Sequence, residues 1–418
     1  MPSKRTFPPN QRYPDEFLRK IPKTDLHCHL DGCVRPATLV DLAKEQGVEL
    51  PTYDVPQLNT CVFKETYENL EEYLRCFAYT TAVLRNTAAL ERVSYELGVD
   101  QYSVGVRYFE TRFAPQLLAI PGTLSVEEIL VAVNNGLKRA TDEANAAADV
   151  VSGEAPRHAY GIIVCAMRFF LPVFGPYYEQ FCHVHRHEDP HRLYGLASMA
   201  LITQAYAAKV EFDLPVVGLD IAGAENGFPA SDHIEAFAFA HKKFMHKTVH
   251  AGEGYGPESI FSAITDLHAE RIGHGYHIFH ANEVRIKDLD DAAKQTYVDG
   301  LSQYVADRRT CLEVCVSSNL QTVPSIENDA ARHPLADMLD GKLAVSLCTD
   351  NCTVSHTNMF KEVRLAVDAL DLKPNELRRV IITGFKRSFM PVPYKEKRQY
   401  TYDVIDYYDK LCKEYNIV

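Results

Sequence analysis

The stretch "KTDLHCHLDG", Lys23–Gly32, decides how the chain is read. In an extended strand side chains alternate between faces, so His27 and His29 point one way and Leu26 and Cys28 the other. Two imidazoles on one face are either metal ligands or core histidines. Asp31 and Gly32 follow where the strand should give way to a loop. Which reading holds depends on what other segments bring to the same strand end.

Seven further short runs read as strands: "VRYFETRFA", "AYGIIVCAM", "PVVGLDIA", "KTVHAGE", "RIGHGYH", "CLEVCVSS" and "LAVSLCTD". Amphipathic stretches separate most of them, "NLEEYLRCFAYTTAVLRNTAALERVSYELGVDQYS" and "PESIFSAITDLHAE" among them, with apolar residues at helical spacing. Strands alternating with helices imply a parallel sheet, and eight such units imply an α/β fold of the (β/α)₈ TIM type with extra helices. The runs alternate poorly because barrel strands are buried on both faces. The boundaries expected are an N-terminal extension over 1–20 and a single barrel domain over 21–418. One connection is long. An insertion at about 170–195, "FFLPVFGPYYEQFCHVHRHEDPHRL" (Phe169–Leu193), leaves the third strand at its C-terminal end. A lid or a subunit contact is the expected use. Its His183, His185, His187 and His191 read as a solvated loop rather than a second metal site, because no strand or helix frame is evident and the charges are mixed.

Bulk properties narrow the function. The 418 residues are 46% hydrophobic and 24% charged, an ordinary globular balance with material for a large core. The net charge is -12, from 44 basic and 56 acidic residues, which argues against a nucleic-acid partner. No apolar run approaches a membrane span, and the first twenty residues lack the apolar core of a secretory signal. Eleven cysteines without a CxxC pair read as buried free thiols in a reducing, cytoplasmic setting.

In this barrel type the C-terminal strand ends form the active face. His27 and His29 end the first strand, His250 lies on the fifth in "TVHAGEG", and Asp350 lies on the eighth in "LCTDNC". Each alone is ordinary: a lone histidine is usually a hydrogen-bonded core residue, and an Asp after a strand is usually a helix cap. Convergence of all four on one face changes the balance. Three imidazoles and a carboxylate suit a divalent transition ion, zinc first by ligand type, with an open position for water.

"KTDLHCHLDG", "VHAGE", "ERIGHGYH" and "SLCTDN" occur in that order, and together they resemble the signature of the adenosine deaminase family within the metal-dependent amidohydrolases. "EEYLRCFAYTTAVL" resembles the family's helical lid, "GVRYFETRFAPQLL" its second strand and "GFKRSFMP" its C-terminal helix. Apart from the N-terminal tail and the insertion, the resemblance spans nearly the whole chain.

The resemblance implies hydrolytic deamination of adenosine, and of 2'-deoxyadenosine, to inosine and ammonia, with one Zn²⁺ per chain held by His27, His29, His250 and Asp350. Such an ion lowers the pKa of its water from about 16 to near 7. His274 would accept that water's proton and steady the developing charge, Asp350 would hydrogen-bond the water, and Glu253 would protonate the purine ring at N1. Burial would raise Glu253 into the range an acid needs at neutral pH. Asp31 resembles the family residue that binds the ribose 5'-hydroxyl. In the family's adenine-specific branch the equivalent position is usually Glu, so Asp31 favours a nucleoside over the free base, and a carboxylate there repels a 5'-phosphate. Gly223 would offer its backbone N–H to purine N3. Tyr73, Leu74 and Phe77 would line the apolar side of the pocket, with Leu70 read as helix core and His277 as a supporting residue. Asn351 departs from the usual second aspartate; its amide can donate to purine N7 without titrating. "PVVGLDIA" has no lysine where binuclear relatives carry one, which favours a single metal.

The expected partner is therefore a small purine nucleoside, with no nucleic acid and no membrane. Alternatives are a modified adenine nucleoside, free adenine, or a catalytically silent binding homologue. The last would ordinarily have lost a ligand or Glu253. A cytidine-deaminase type of zinc site needs H-x-E with P-C-x-x-C, which this chain lacks.

Overall fold

The computed structural model describes residues 10–417. Eight parallel strands follow one another in chain order around the sheet: β1 Lys23–His29, β2 Val106–Phe113, β3 Ala159–Met167, β4 Val216–Ala222, β5 His246–Ala251, β6 Arg271–His274, β7 Cys311–Val314 and β8 Ala344–Leu347. Just beyond the end of β8, the chain returns to β1. The Asp350 N–H donates to the His27 carbonyl (2.8 Å) and the His29 N–H to the Asp350 carbonyl (2.7 Å). Surrounding helices complete the (β/α)₈ TIM-type barrel expected from the sequence. Every residue of β1 and β2 is buried, as a sheet covered on both faces requires.

The helices start where the sequence supplies caps. Ser125 and Glu128 form a reciprocal capping box that opens the helix Val126–Asn145. Asn69 and Asn86 cap two starts within what reads as one long amphipathic stretch. That stretch is therefore three helices, Leu70–Leu74, Phe77–Ala82 and Thr87–Ser103. The break lets the first two turn over the strand ends while the third packs along the barrel wall.

"CLEVCVSS" is strand only to Val314; Val316–Thr322 is a helix, which turns its buried polar residues toward the strand ends. "GFKRSFMP" ends the helix Pro374–Arg387, and the chain closes on a separate helix, Tyr394–Glu414. Residues 1–9 of the expected N-terminal extension lie outside the described residues. Its remainder contains the helix Asp15–Lys20, whose buried Phe17 packs against Tyr408 and Tyr415.

The His-rich segment is not a bare loop. It forms the helix Pro176–Val184 and the start of Pro190–Glu211, the latter capped by the Asp189 side chain. Aromatic side chains give it a small core of its own, with Phe170 stacked on Tyr178 at 4.2 Å and edge-on to Tyr194. His191 pairs with Asp232 at 2.7 Å.

Candidate active site

A cavity of about 570 Å³ opens at the C-terminal ends of the strands. His29, Asp31, His250, Glu253, His274, Asp350 and Asn351 line its polar side, and Tyr73, Leu74, Phe77 and Gly223 its other walls. His27 lies beneath them, wholly buried. Leu70, read as helix core, also reaches the cavity. The insertion contributes Phe169, Val173 and Phe174 to the rim. His277 does not line it; its main-chain N–H instead holds the Gly252 carbonyl.

Ligand-type atoms of His27, His250, His274 and Asp350 lie within 4.8 Å of one another. His29 joins this group from the side, its Nε2 3.2 Å from His250 Nε2 and 3.5 Å from Asp350 Oδ1. His27 Nε2 is 3.4 Å from Asp350 Oδ1, yet it is buried without a hydrogen-bond partner. Histidine nitrogens crowded together, one of them orphaned, are the donor set a divalent cation satisfies.

Carboxylates behind the histidines fix which nitrogen faces the centre. Glu313 accepts from His27 Nδ1 at 2.9 Å, and Asp220 Oδ2 lies 2.9 Å from His250 Nδ1. Both rings therefore present Nε2 inward, the arrangement that orients imidazole ligands and raises their basicity. Glu313 also accepts from Arg112, Thr248 and Arg271, and Arg112 from its other side donates to Asp220 (2.8 Å). Burial alone would push both carboxyls up, but the cations outweigh it. Arg112 and Arg271 hold Glu313 well below the usual carboxylate range, and His250 and Arg112 do the same for Asp220. Neither carboxylate was legible as a site residue. The available signal was a charge inside an apolar strand run, "GLDIA" and "CLEVC".

His274 is held by a chain of buried polar groups. The Leu335 N–H donates to His333 Nδ1 (3.1 Å), so the neutral ring donates from Nε2 to Asn319 Oδ1 (3.1 Å). The Asn319 amide then donates to His274 Nδ1 (3.3 Å). A neutral His274 so held carries its hydrogen on Nε2, which lies 3.5 Å from Glu253 Oε2. Burial favours that neutral form, pushing His274 well below its ordinary value. His274 and Asp350 both adopt left-handed backbone, φ 63° and 61°, a cost that site residues commonly carry. Asp350 is further fixed by the Ser318 hydroxyl at 2.7 Å.

Glu253 sits on the loop after β5, and Glu225 sets that loop. One Glu225 oxygen accepts the N–H groups of Glu253, Gly254 and Tyr255 (3.1, 2.8 and 3.0 Å). The other accepts from Gly252 N–H (2.8 Å) and from the Ser259 hydroxyl. Sequence reasoning did not find Glu225, two residues beyond Gly223. Burial pushes Glu253 well above the ordinary carboxylate range, and Asp350 and Glu225 add to it against Arg168. Asp31 is raised to about 7 by burial, and its Oδ1 has no partner.

Asn351 gives one amide hydrogen to the Tyr73 hydroxyl (2.8 Å), leaving the second free for a ligand. Its Oδ1 packs onto Gly32, where a Cβ would lie only 1.8 Å away, so a side chain at 32 would displace that of Asn351. Gly223 has φ 104°, which leaves its backbone exposed to the cavity in a conformation L side chains rarely adopt.

A parallel barrel with converging histidines and an aspartate at its strand ends defines a metal-dependent hydrolase of the amidohydrolase type. The adenosine deaminase family model matches residues 22–169 and 195–407, and the chain belongs to the adenosine deaminase family. It is accordingly an aminohydrolase. It is 33% identical over 391 residues to adenosine deaminase 1 of Streptomyces coelicolor, covering 93% of this chain and 87% of that protein. To a probable adenosine deaminase of Dictyostelium discoideum it is 35% identical over 381 residues, 91% of this chain but 42% of that longer protein. The fold resembles an amidohydrolase of Burkholderia ambifaria solved with bound Zn, with TM-score 0.75 at 20% identity over 99% of this chain and 98% of that one.

Proposed function

We propose that the enzyme hydrolytically deaminates adenosine and 2'-deoxyadenosine to inosine and ammonia, with one Zn²⁺ per chain held by His27, His29, His250 and Asp350. A cation in that position supplies a water activated for attack at neutral pH. The chain's own residues do the rest. Glu253, kept protonated by burial and its carboxylate neighbours, donates its proton to N1 as the ring loses aromaticity at C6. The Nε2–H of His274 faces the attacked carbon's new oxygen and steadies negative charge there; with Asn319 fixing that tautomer, charge stabilisation is favoured over the proton-accepting role. Asp350, fixed by Ser318, accepts the water's hydrogen bond. Gly223 N–H and the second Asn351 amide hydrogen meet ring nitrogens N3 and N7, and Tyr73, Leu74 and Phe77 exclude water.

The observation that carries the nucleoside assignment is Asp31, a buried carboxyl at the cavity with an unpartnered oxygen. A sugar hydroxyl satisfies it, whereas free adenine leaves it orphaned and a 5'-phosphate meets it with like charge. An ammonia-release screen over adenosine, deoxyadenosine, adenine, AMP and 5'-deoxyadenosine tests this. Adenosine and deoxyadenosine should lead, and equal kcat/KM for 5'-deoxyadenosine would remove the role of Asp31.

One observation favours a second reading. The insertion's Phe169, Val173 and Phe174 add apolar surface to the rim, and Val173 is 86% exposed. A modified adenine nucleoside with an apolar substituent would cover it. The reaction fits a cytoplasmic setting, since all eleven cysteines are free. Among the described residues no helix is long and apolar enough to cross a membrane.

A further inference from the structure

On the opposite face of β1 from the catalytic histidines, three cysteines converge. Cys28 lies between His27 and His29 with its side chain turned away from the cavity. Cys33 follows the turn that carries Asp31, and Cys352 lies two residues past Asp350. Their sulfurs all fall within 4.8 Å of one another, Cys28 and Cys33 at 3.5 Å. The three segments joined at this point are the same three that carry His27, His29, Asp31, Asp350 and Asn351.

The hydrogen-bond donors around the three sulfurs are in excess of the acceptors. Two N–H groups are aimed at sulfur: Gln101 Nε2 at Cys28 Sγ (3.2 Å) and the Cys352 backbone N–H at Cys33 Sγ (3.1 Å). As thiols the trio would bring three S–H donors to a spot already supplied with two N–H donors, and sulfur is a weak acceptor. The nearest carboxylate does not relieve this. Asp25 is already engaged by the Thr349 hydroxyl (2.6 Å) and by Gln101 (2.8 Å). Replacing the thiol protons with one thiophilic cation turns the excess of donors into a matched set, with N–H groups supporting ligand sulfurs. Three thiolates select a soft ion, and a divalent one leaves a smaller net charge in the interior than a monovalent one. Cys28 and Cys33 are buried, whereas Cys352 is only partly so and offers the way in.

We propose that Cys28, Cys33 and Cys352 form a second cation site, selective for a soft divalent ion, which ties β1 to the segment after β8 behind the catalytic centre. This site is separate from the histidine cluster, and its test does not depend on which purine the enzyme takes.

The test is a titration of the zinc-loaded enzyme with Cd²⁺, read by thiolate-to-cadmium charge-transfer absorbance and by ¹¹³Cd NMR, whose shift reports how many sulfurs bind. The expected result is one saturable site per chain with a three-sulfur shift, no loss of zinc, and a raised Tm. C61S, which removes an exposed cysteine elsewhere, should leave this unchanged. C33S and C352S should each weaken binding at least about 100-fold, beyond what loss of a supporting contact produces. No charge-transfer band at stoichiometric cadmium overturns the proposal. So does a shift typical of nitrogen and oxygen donors, or a band unaltered in both C33S and C352S. The NMR arm on the unsubstituted enzyme decides the matter even if a serine variant fails to fold.

Discussion

Replacing Glu225 by glutamine tests how the proposed acid is held in place. The carboxylate accepts four backbone N–H groups from residues 252–255, between 2.8 and 3.1 Å, and the Ser259 hydroxyl. Glutamine keeps one acceptor oxygen. Whichever way its amide turns, an NH₂ then faces either Gly252 N–H or the three N–H groups after it. At least one charge-assisted bond becomes a donor–donor contact, a loss of about 2–3 kcal/mol for the ordered loop. If that loss falls on the position of Glu253, kcat drops about 30- to 160-fold, since each 1.36 kcal/mol is tenfold. Zinc content should be unchanged, because none of the proposed ligands touches Glu225. KM should change by less than about threefold, because the remaining pocket walls are intact. Removing the negative charge should also lower the pKa of Glu253, so the alkaline limb of the kcat profile moves to lower pH. Steady-state kinetics with metal analysis would read all of this. A kcat within about twofold of the parent, with an unshifted limb, would refute the positioning role.

Other outcomes follow from the same structure. His27→Ala should lose zinc, because it removes an inward nitrogen and leaves Glu313 short of a partner; metal analysis finding a full equivalent of zinc would exclude the proposed ligand set. Three buried histidines should each take stability away on mild acidification. Burial lowers His158 to about 4, and His233 and His333 to about 3, from an ordinary value of 6.5. Their contribution is fully present above pH 6.5 and is lost as pH falls toward those folded values, because only the unfolded chain takes up the protons. Each such group contributes a slope of up to about 1.4 kcal/mol per pH unit between pH 6 and 5, opposed by Asp25 and Asp31, which burial raises to about 7 so that the folded chain takes up their protons. Denaturant midpoints of the parent and of His233→Gln across that window should differ in slope by about one proton; identical slopes would contradict the assignment.

Much of the site could be read from the sequence because it sits where strands end. Each of "HCH", "VHAGE", "GHGYH" and "CTDN" closes a recognisable strand, and the barrel brings those ends together without any detail of packing. The supporting residues had no such frame. His27 and Glu313 are 286 residues apart, and nothing in "CLEVC" says that its carboxylate orients an imidazole rather than pairing with a cation. Asn319 and His333 looked like ordinary polar residues because their role appears only once Leu335 fixes one ring nitrogen. The insertion was misread for a different reason. Asp189-Pro190 and Gly175-Pro176 are helix-start signals, with proline at the first helical position in each, and the histidine content drew the reading toward a loop.

The proposed reaction depends above all on Glu253 as the proton donor at a zinc-dependent site, and turnover of adenosine by the Glu253→Gln enzyme, with its metal content determined in parallel, measures this directly. Glutamine has the same shape and cannot titrate. One zinc per chain should be retained and ammonia release reduced at least about 100-fold. Near-parental turnover with full zinc would contradict it.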